Sequence, residues 1–277
     1  MSDRVSIDIQ NGVADVRLNR PDKMNALDGA MFQAIFEAGR ALNDDPDVRA
    51  VVLSGAGRCF CAGLDVGNFA GIAKGGGGGT DAGSARSLFD KPEGSIANYA
   101  QLPGWVWQTL NVPVIAAVHG VAYGGGLQIA LGADIRIIAP DARMSVMEIK
   151  WGLVPDMAGT QLLRNLTRLD VAKELTFTGR IVSGVEAVEL GLATRVSDQP
   201  LEDARAIAEQ IARESPSAVQ AGKRLLNDAV VGEYADGLSL EAQLQKALIG
   251  KPEQIETVKA QVEGRAPSYA PGAKADK

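Results

Sequence analysis

The chain has 277 residues, of which 46% are hydrophobic and 22% charged, enough apolar material for one large domain, or one domain with an appendage, around a substantial core. Its net charge of −6 and pI near 5.0, with no long stretch rich in Lys and Arg, exclude a nucleic-acid partner held mainly by phosphate neutralisation. Met1 to Arg4 has no apolar signal core, no run is long enough to cross a bilayer, and the Ala-Asp-Lys end is not a peroxisomal address, so a soluble cytoplasmic protein is expected.

Val5 to Gln10 and Val13 to Leu18 alternate apolar and polar residues around Asn11-Gly12, a dipeptide suited to the positive φ angles of a two-residue hairpin turn. From Asp28 as N-cap, Met31, Phe32, Ile35, Phe36, Ala38 and Leu42 recur at helical spacing until Asp44-Asp45-Pro46 stops the pattern. Strands are predicted at Ala50 to Leu53, Val114 to Val118 and Ile135 to Ala139, and the recurring strand-then-helix order indicates an α/β fold. Between them, Gly75 to Gly79 has high backbone entropy and no side chains to bury, which suggests a mobile segment, either a surface insertion or a lid. Beyond Pro200 four amphipathic helices are predicted, at Asp203 to Glu214, Ser217 to Val231, Leu238 to Ile249 and Glu253 to Val262, followed by a disordered tail from Ala266 to Lys277.

Two segments stand out for chemistry. Phe60-Cys61-Ala62-Gly63-Leu64-Asp65 and His119-Gly120-Val121-Ala122-Tyr123-Gly124-Gly125-Gly126 each read as a strand running into a helix through a glycine-lined turn. Glycine there marks a bend or close packing, or it lets a carbonyl group approach free main-chain N–H groups; two facing turns would grip one oxygen from both sides. Downstream, Glu148 sits among Met144, Val146, Met147 and Ile149, where desolvation should raise its pKa and suit it to carry a proton, unless it is a solvated strand-end glutamate. Asp156, in Pro155-Asp156-Met157-Ala158-Gly159, reads either as the N-cap of a helix or as a second acid. Cys59 and Cys61 are too close for an ordinary structural disulfide and no Cys or His pair completes a zinc set, so no metal site is expected. His119 has no nucleophile partner at a recognisable spacing and reads as structural, and Trp105 and Trp107 read as packing or pocket residues.

These turns, together with Leu18-Asn19-Arg20-Pro21-Asp22-Lys23-Met24-Asn25-Ala26-Leu27, Gly159-Thr160-Gln161 and the stretch from Thr178-Gly179-Arg180 to Leu190-Gly191-Leu192, resemble the crotonase (enoyl-CoA hydratase/isomerase) superfamily from about Arg4 to about Arg265. The resemblance implies a spiral of repeated β-β-α units over 1–200, which holds an acyl-CoA site. It also implies a C-terminal helical region over 201–265 that packs subunits into trimers or pairs of trimers. By the same resemblance the oxyanion donors are the amides of Leu64 and Gly125, and CoA, as part of the substrate rather than a separate cofactor, contacts Lys23, Met24, Ala26, Ala62, Asp65 and Val66. Lys23 reads equally as a solvated loop lysine, and Asp65 as an acid complementing a helix dipole. Hydratases of the family carry acids where Gln128 and Glu148 stand here. An amide cannot exchange a proton at neutral pH, although Gln128 can hydrogen-bond a water or the substrate; it reads equally as a merely polar residue on an otherwise apolar buried helix. The dienoyl-CoA isomerase branch carries acids matching Glu148 and Asp156, with a third acid where Gln128 stands here, so that match is partial; moving a double bond needs only one carboxylate, and the loss of an acid at Gln128 hurts hydration more. Double-bond isomerisation is therefore the favoured expectation, with hydration, thioester hydrolysis and binding without turnover as alternatives.

Overall fold

A computed structural model of the chain describes residues 3–65 and 88–270. The Gly75 to Gly79 segment, Val66 and the helix expected after Leu64 lie outside the described residues.

The hairpin forms as expected. β1 (Val5–Gln10) pairs antiparallel with β2 (Val13–Leu18), and Asn11 and Gly12 take φ of 51° and 82°. β2 then opens a parallel sheet with β3 (Ala50–Gly55), β4 (Val114–Val118), β6 (Ile135–Ile138) and β9 (Arg195–Val196), in the order β1-β2-β3-β4-β6-β9. A strand buried on both faces reads as a near-continuous apolar run, and β3 and β4 are buried throughout, with Ser54 of β3 their one polar side chain. Val16, Leu18, Val51, Leu53, Ala116 and Val118 face the larger core with α1 (Gly29–Asp44). Val13, Ala50, Val52, Ile115, Ala117 and Ile137 face α7 (Pro200–Ala212), whose Ala204, Ala208 and Ala212 form a small-residue stripe that lets the helix lie close.

A second, three-stranded sheet was not foreseen: β5 (Val121–Tyr123) pairs parallel with β7 (Arg143–Ser145), which pairs antiparallel with β8 (Val182–Ser183). Each is too short to show a period of two. Together the sheets give the repeat β4-β5-α3 (α3, Gly125–Leu131), then β6-β7 leading through a 3-10 turn at Glu148–Trp151 to α4 (Gly159–Leu166). α2 (Leu102–Thr109) packs between α1 and α3. A Cβ on its Gly104 would strike the Met157 carbonyl, so the glycine permits that close approach.

α5 (Leu169–Thr178) and α6 (Gly184–Glu189) complete this part. The four C-terminal helices are present as α7, α8 (Pro216–Ala229), α9 (Tyr234–Leu248) and α10 (Pro252–Glu263). α7, α8 and α10 begin earlier than their apolar patterns, each with a proline in its first turn, where no N–H is needed. Of the tail expected from Ala266, residues 266–270 are described and 271–277 lie outside the described residues. Ser268 N–H donates to Glu256 Oε1 at 2.8 Å, and the Tyr269 hydroxyl lies 2.9 Å from Thr257 Oγ1, which ties 266–269 back onto α10. Among the described residues no helix is long and apolar enough to cross a membrane.

Candidate active site

The two glycine turns lie side by side because they are successive turns of the spiral. Phe60 N–H donates to the His119 carbonyl, Cys61 N–H to Val121 and Tyr123 N–H to Cys61, at 2.9, 3.0 and 3.1 Å. Residue 61 is thereby a single bridge beside Ala122 rather than the strand expected there. A Cβ on Gly63 (φ 89°) would stand 2.6 Å from the Tyr123 oxygen and 3.7 Å from the Gly125 nitrogen, and one on Gly126 would strike the Cys61 carbonyl. Only glycine allows the two backbones to approach this closely.

Leu64 forms a bridge with Leu27 in which Leu27 N–H donates to Gly63 (2.8 Å) and Asp65 N–H to Leu27 (3.0 Å). In such a parallel bridge the flanking groups are consumed and the N–H of Leu64 points the other way. Gly125 opens α3, where the first N–H has no acceptor one turn back. Among the described residues neither N–H has a protein acceptor, and the Gly63 contact sets the backbone before Leu64 beside the start of α3.

The loop before the first turn is held by a residue whose part was not foreseen, Asn25. Fully buried at φ 55°, it donates through Nδ2 to the carbonyls of Ala56, Cys59 and Phe60 (2.9, 2.9 and 3.1 Å) and accepts from Arg20 N–H at 2.9 Å. A buried asparagine must use its whole amide, and here it joins 20–27 to 56–60. Next to it Met24 is also left-handed (φ 53°), and Ala26 is buried with its carbonyl bonded by Arg20 Nη1 at 3.1 Å. Lys23 is exposed at the end of a 3-10 turn. Ala62 N–H is spent on the Met24 carbonyl (3.0 Å) and Asp65 N–H on Leu27, so main-chain contacts from these two to a nucleotide would use carbonyl oxygens. Asp65 pairs with Arg20 at 2.6 Å. Cys61, wholly buried with its thiol on the Asn25 carbonyl at 3.1 Å, has its pKa pushed up to about 12 by desolvation, which leaves it an unreactive packing residue. His119 bonds the Gly57 carbonyl through Nε2 at 3.0 Å, in line with a structural part, and Trp107 is fully buried in the core.

Glu148 begins the 3-10 turn after β7 and is buried, not a solvated strand end. A Cβ on Gly124 would lie 3.3 Å from its Oε1, which places the carboxyl against the second glycine turn. Oε1 accepts from Gln128 Nε2 at 2.6 Å, whereas Oε2 is buried with no partner among the described residues. Burial raises the pKa of Glu148; its own backbone N–H and, after it, the Gln128 bond oppose that rise, and the negative charge of Asp156 adds to it least.

Of the two readings of Gln128, the structure favours a polar residue spent inside the protein: it is 1% exposed, its Oε1 accepts from Met157 N–H and Gly159 N–H, both at 2.8 Å, and its Nε2 serves Glu148. One reading of Asp156 needs correction. Asp156 is not a helix cap: α4 is capped by Ala158 at φ 70°, without a side-chain bond. Asp156 stands two residues earlier, exposed at its surface, on the segment that Gln128 clamps, and the protein mass behind it raises its pKa. The site therefore brings together Leu64, Gly125, Gln128 and Glu148, with Asp156 near enough for its charge to act on Glu148. Among the described residues no group of three His, Cys, Asp or Glu side chains could hold a metal ion.

The family model for enoyl-CoA hydratase/isomerase matches residues 8–271. The chain belongs to the enoyl-CoA hydratase/isomerase family, and is an acyl-CoA enzyme of that family. It is 34% identical to a probable enoyl-CoA hydratase of Mycobacterium leprae over 269 residues, covering 96% of this chain and 98% of the relative. It is also 34% identical to the peroxisomal Delta(3,5)-Delta(2,4)-dienoyl-CoA isomerase of Arabidopsis thaliana over 257 residues, covering 91% of each. The crystal structure of a putative enoyl-CoA hydratase from Streptomyces coelicolor A3(2) superposes with a TM-score of 0.85 at 30% identity, over 98% of this chain and 95% of that one.

Proposed function

We propose that the protein shifts a double bond in an enoyl- or dienoyl-CoA, with Glu148 as the proton carrier and the N–H groups of Leu64 and Gly125 as donors to the thioester oxygen. Removing the proton next to the carbonyl moves charge onto that oxygen, so two preorganised donors stabilise the enolate more than the substrate, each by roughly 3 kcal/mol. Glu148 Oε2 takes the proton from the carbon beside the carbonyl and returns it further along the chain as the electron pair moves. Atoms, charge and oxidation level balance, so the reaction needs no cofactor besides the CoA carried by the substrate. Lys23, Met24, Ala26, Ala62, Asp65 and Val66 are proposed to line its nucleotide path, with Lys23 facing a phosphate.

The observation that carries the choice of reaction is the state of Gln128. Addition of water in this family's two-acid manner would use a second carboxylate there, and the amide oxygen is already consumed by two backbone N–H groups. Hydration is the second reading, favoured by the name of the Mycobacterium leprae relative and by Asp156, a second carboxylate whose charge acts on Glu148. A homo-oligomer, a trimer or pair of trimers, is proposed as the assembly; α9 buries none of its residues within the chain, and its Tyr234 and Leu238 are exposed.

Product analysis decides. Incubation with 3-enoyl- and 3,5-dienoyl-CoA should give the shifted double bond by absorbance, and Glu148→Gln should lower that rate about 10³-fold with CoA affinity kept. A 3-hydroxyacyl product from 2-enoyl-CoA without isomerisation, release of free CoA, or full activity in Glu148→Gln would overturn the proposal.

A further inference from the structure

We infer that Gln128 is a positioning residue: it anchors Glu148 by one oxygen, so that the other, Oε2, alone carries the proton. This rests on the proposed role of Glu148 and names how that carboxylate is held.

The two oxygens of a free carboxylate are interchangeable, and rotation presents either to a substrate. Here they differ. Oε1 is tied to Gln128 Nε2 at 2.6 Å, while Oε2 is buried and has no partner among the described residues. A buried carboxylate oxygen with no donor loses its solvation without compensation, and such a group persists in a fold where its chemistry needs it. The orientation of the Gln128 amide is fixed by its surroundings. Its oxygen accepts from Met157 N–H and Gly159 N–H, so turning the amide over would set an NH₂ group against two donors. A Cβ on Gly159 would come within 2.6 Å of that same oxygen, so the loop fits closely around it. Gln128 thus joins the carboxylate to the 157–159 segment, next to Asp156.

The charges around Glu148 are few. α3 contributes Gln128 and no charged residue; Asp156 acts from the 155–158 segment; Lys150, on the same 3-10 turn, is exposed, as are Lys173 and Glu174 on α5, which packs against that turn. β5 contributes Tyr123, and Arg143 on β7 is exposed. The donated bond from Gln128 favours the ionised carboxylate, the form that takes a proton, against burial and Asp156.

Two variants separate the tasks of this amide. Gln128→Glu keeps an acceptor for Met157 and Gly159, replaces the fixed amide donor to Glu148 and sets a second titratable carboxyl against it. Gln128→Met removes both functions. The measurement is the pH profile of kcat/KM for isomerisation, with hydration product followed in the same samples and circular dichroism melts alongside. In Gln128→Glu the acid limb should move up by about one to two pH units with the melt preserved, as expected for like charges in contact. In Gln128→Met the limb should also rise, kcat should drop by about tenfold or more, and KM should change less than about threefold.

An acid limb unmoved in Gln128→Glu overturns the inference; should Gln128→Met fail to fold, the Gln128→Glu profile still decides. The reading of the reaction fails separately, if the unmodified enzyme yields 3-hydroxyacyl-CoA and no shifted double bond. The limb is then measured on hydration, and an unmoved limb there also overturns the assignment to Gln128.

Discussion

Two buried charged groups in this chain have opposite degrees of closure. Lys223 on α8 donates to the Trp107 and Val112 carbonyls and to Asp134 Oδ2 at 3.0, 2.9 and 2.8 Å, and Asp134 Oδ2 also accepts from Val114 N–H at 2.7 Å. All three ammonium protons are used, and the cluster locks α8 to the end of α2 and the start of β4. Glu148 is as buried, yet one of its oxygens has no partner among the described residues. A complete network stabilises the fold, whereas an incomplete one stores an unmet demand for a proton donor at one atom, which is what a proton carrier requires. Between these two charged groups it is closure, more than burial, that differs.

Substitutions at the two centres should therefore dissociate stability from turnover. The largest effect is on the chemical side: the roughly 10³-fold loss in Glu148→Gln comes with a melting temperature equal to or above that of the parent. Nearly as large is Gly63→Ala, which sets a methyl against the Tyr123 carbonyl at a φ of 89° and so spreads the two turns. It should lower kcat by about 10²-fold or more, as expected for the loss of one oxyanion donor, and stopped assays on purified, folded enzyme check this. Lys223→Met takes the cation from half-buried Asp134, which keeps Val114 N–H, and the donor from two carbonyls, and should lower unfolding stability by about 2–3 kcal/mol in urea titrations, with kcat and KM of the folded enzyme unchanged.

The smallest effect is a pH slope. Burial raises the Glu148 pKa above its unfolded value, so the folded state holds its proton more tightly. That contribution is full below the unfolded pKa and is lost as pH rises through the folded one. Stability of the parent should thus decline across that interval more steeply than that of Glu148→Gln. Equal slopes would show that the carboxyl is not held against ionisation.

Much of the frame was legible because its signals are local. Asn11-Gly12 fixes the hairpin, Asp28 caps α1 by accepting from Met31 N–H at 2.8 Å, and the glycine pairs mark the two turns. The site's wiring was not legible, because its partners are backbone groups far away in sequence. Gln128 bonds the N–H groups of Met157 and Gly159, and nothing in the identity of those residues announces such a bond. Asn25 was visible within its motif, but its service to three carbonyls depends on where 56–60 returns in space; a lone amide set between Met24 and Ala26-Leu27 was the available hint. The N-cap reading of Asp156 failed because the chain turns left-handed at Ala158 before α4 begins.

The carboxamide of Asn25 has a mechanical result. By fastening the 20–27 strap to the run of chain that ends at Gly63 and Leu64, it makes one stiff piece of two stretches far apart in sequence, which on the proposed function would meet the remote and the reacting end of one long ligand. A hold on the strap would then also steady the amide of Leu64.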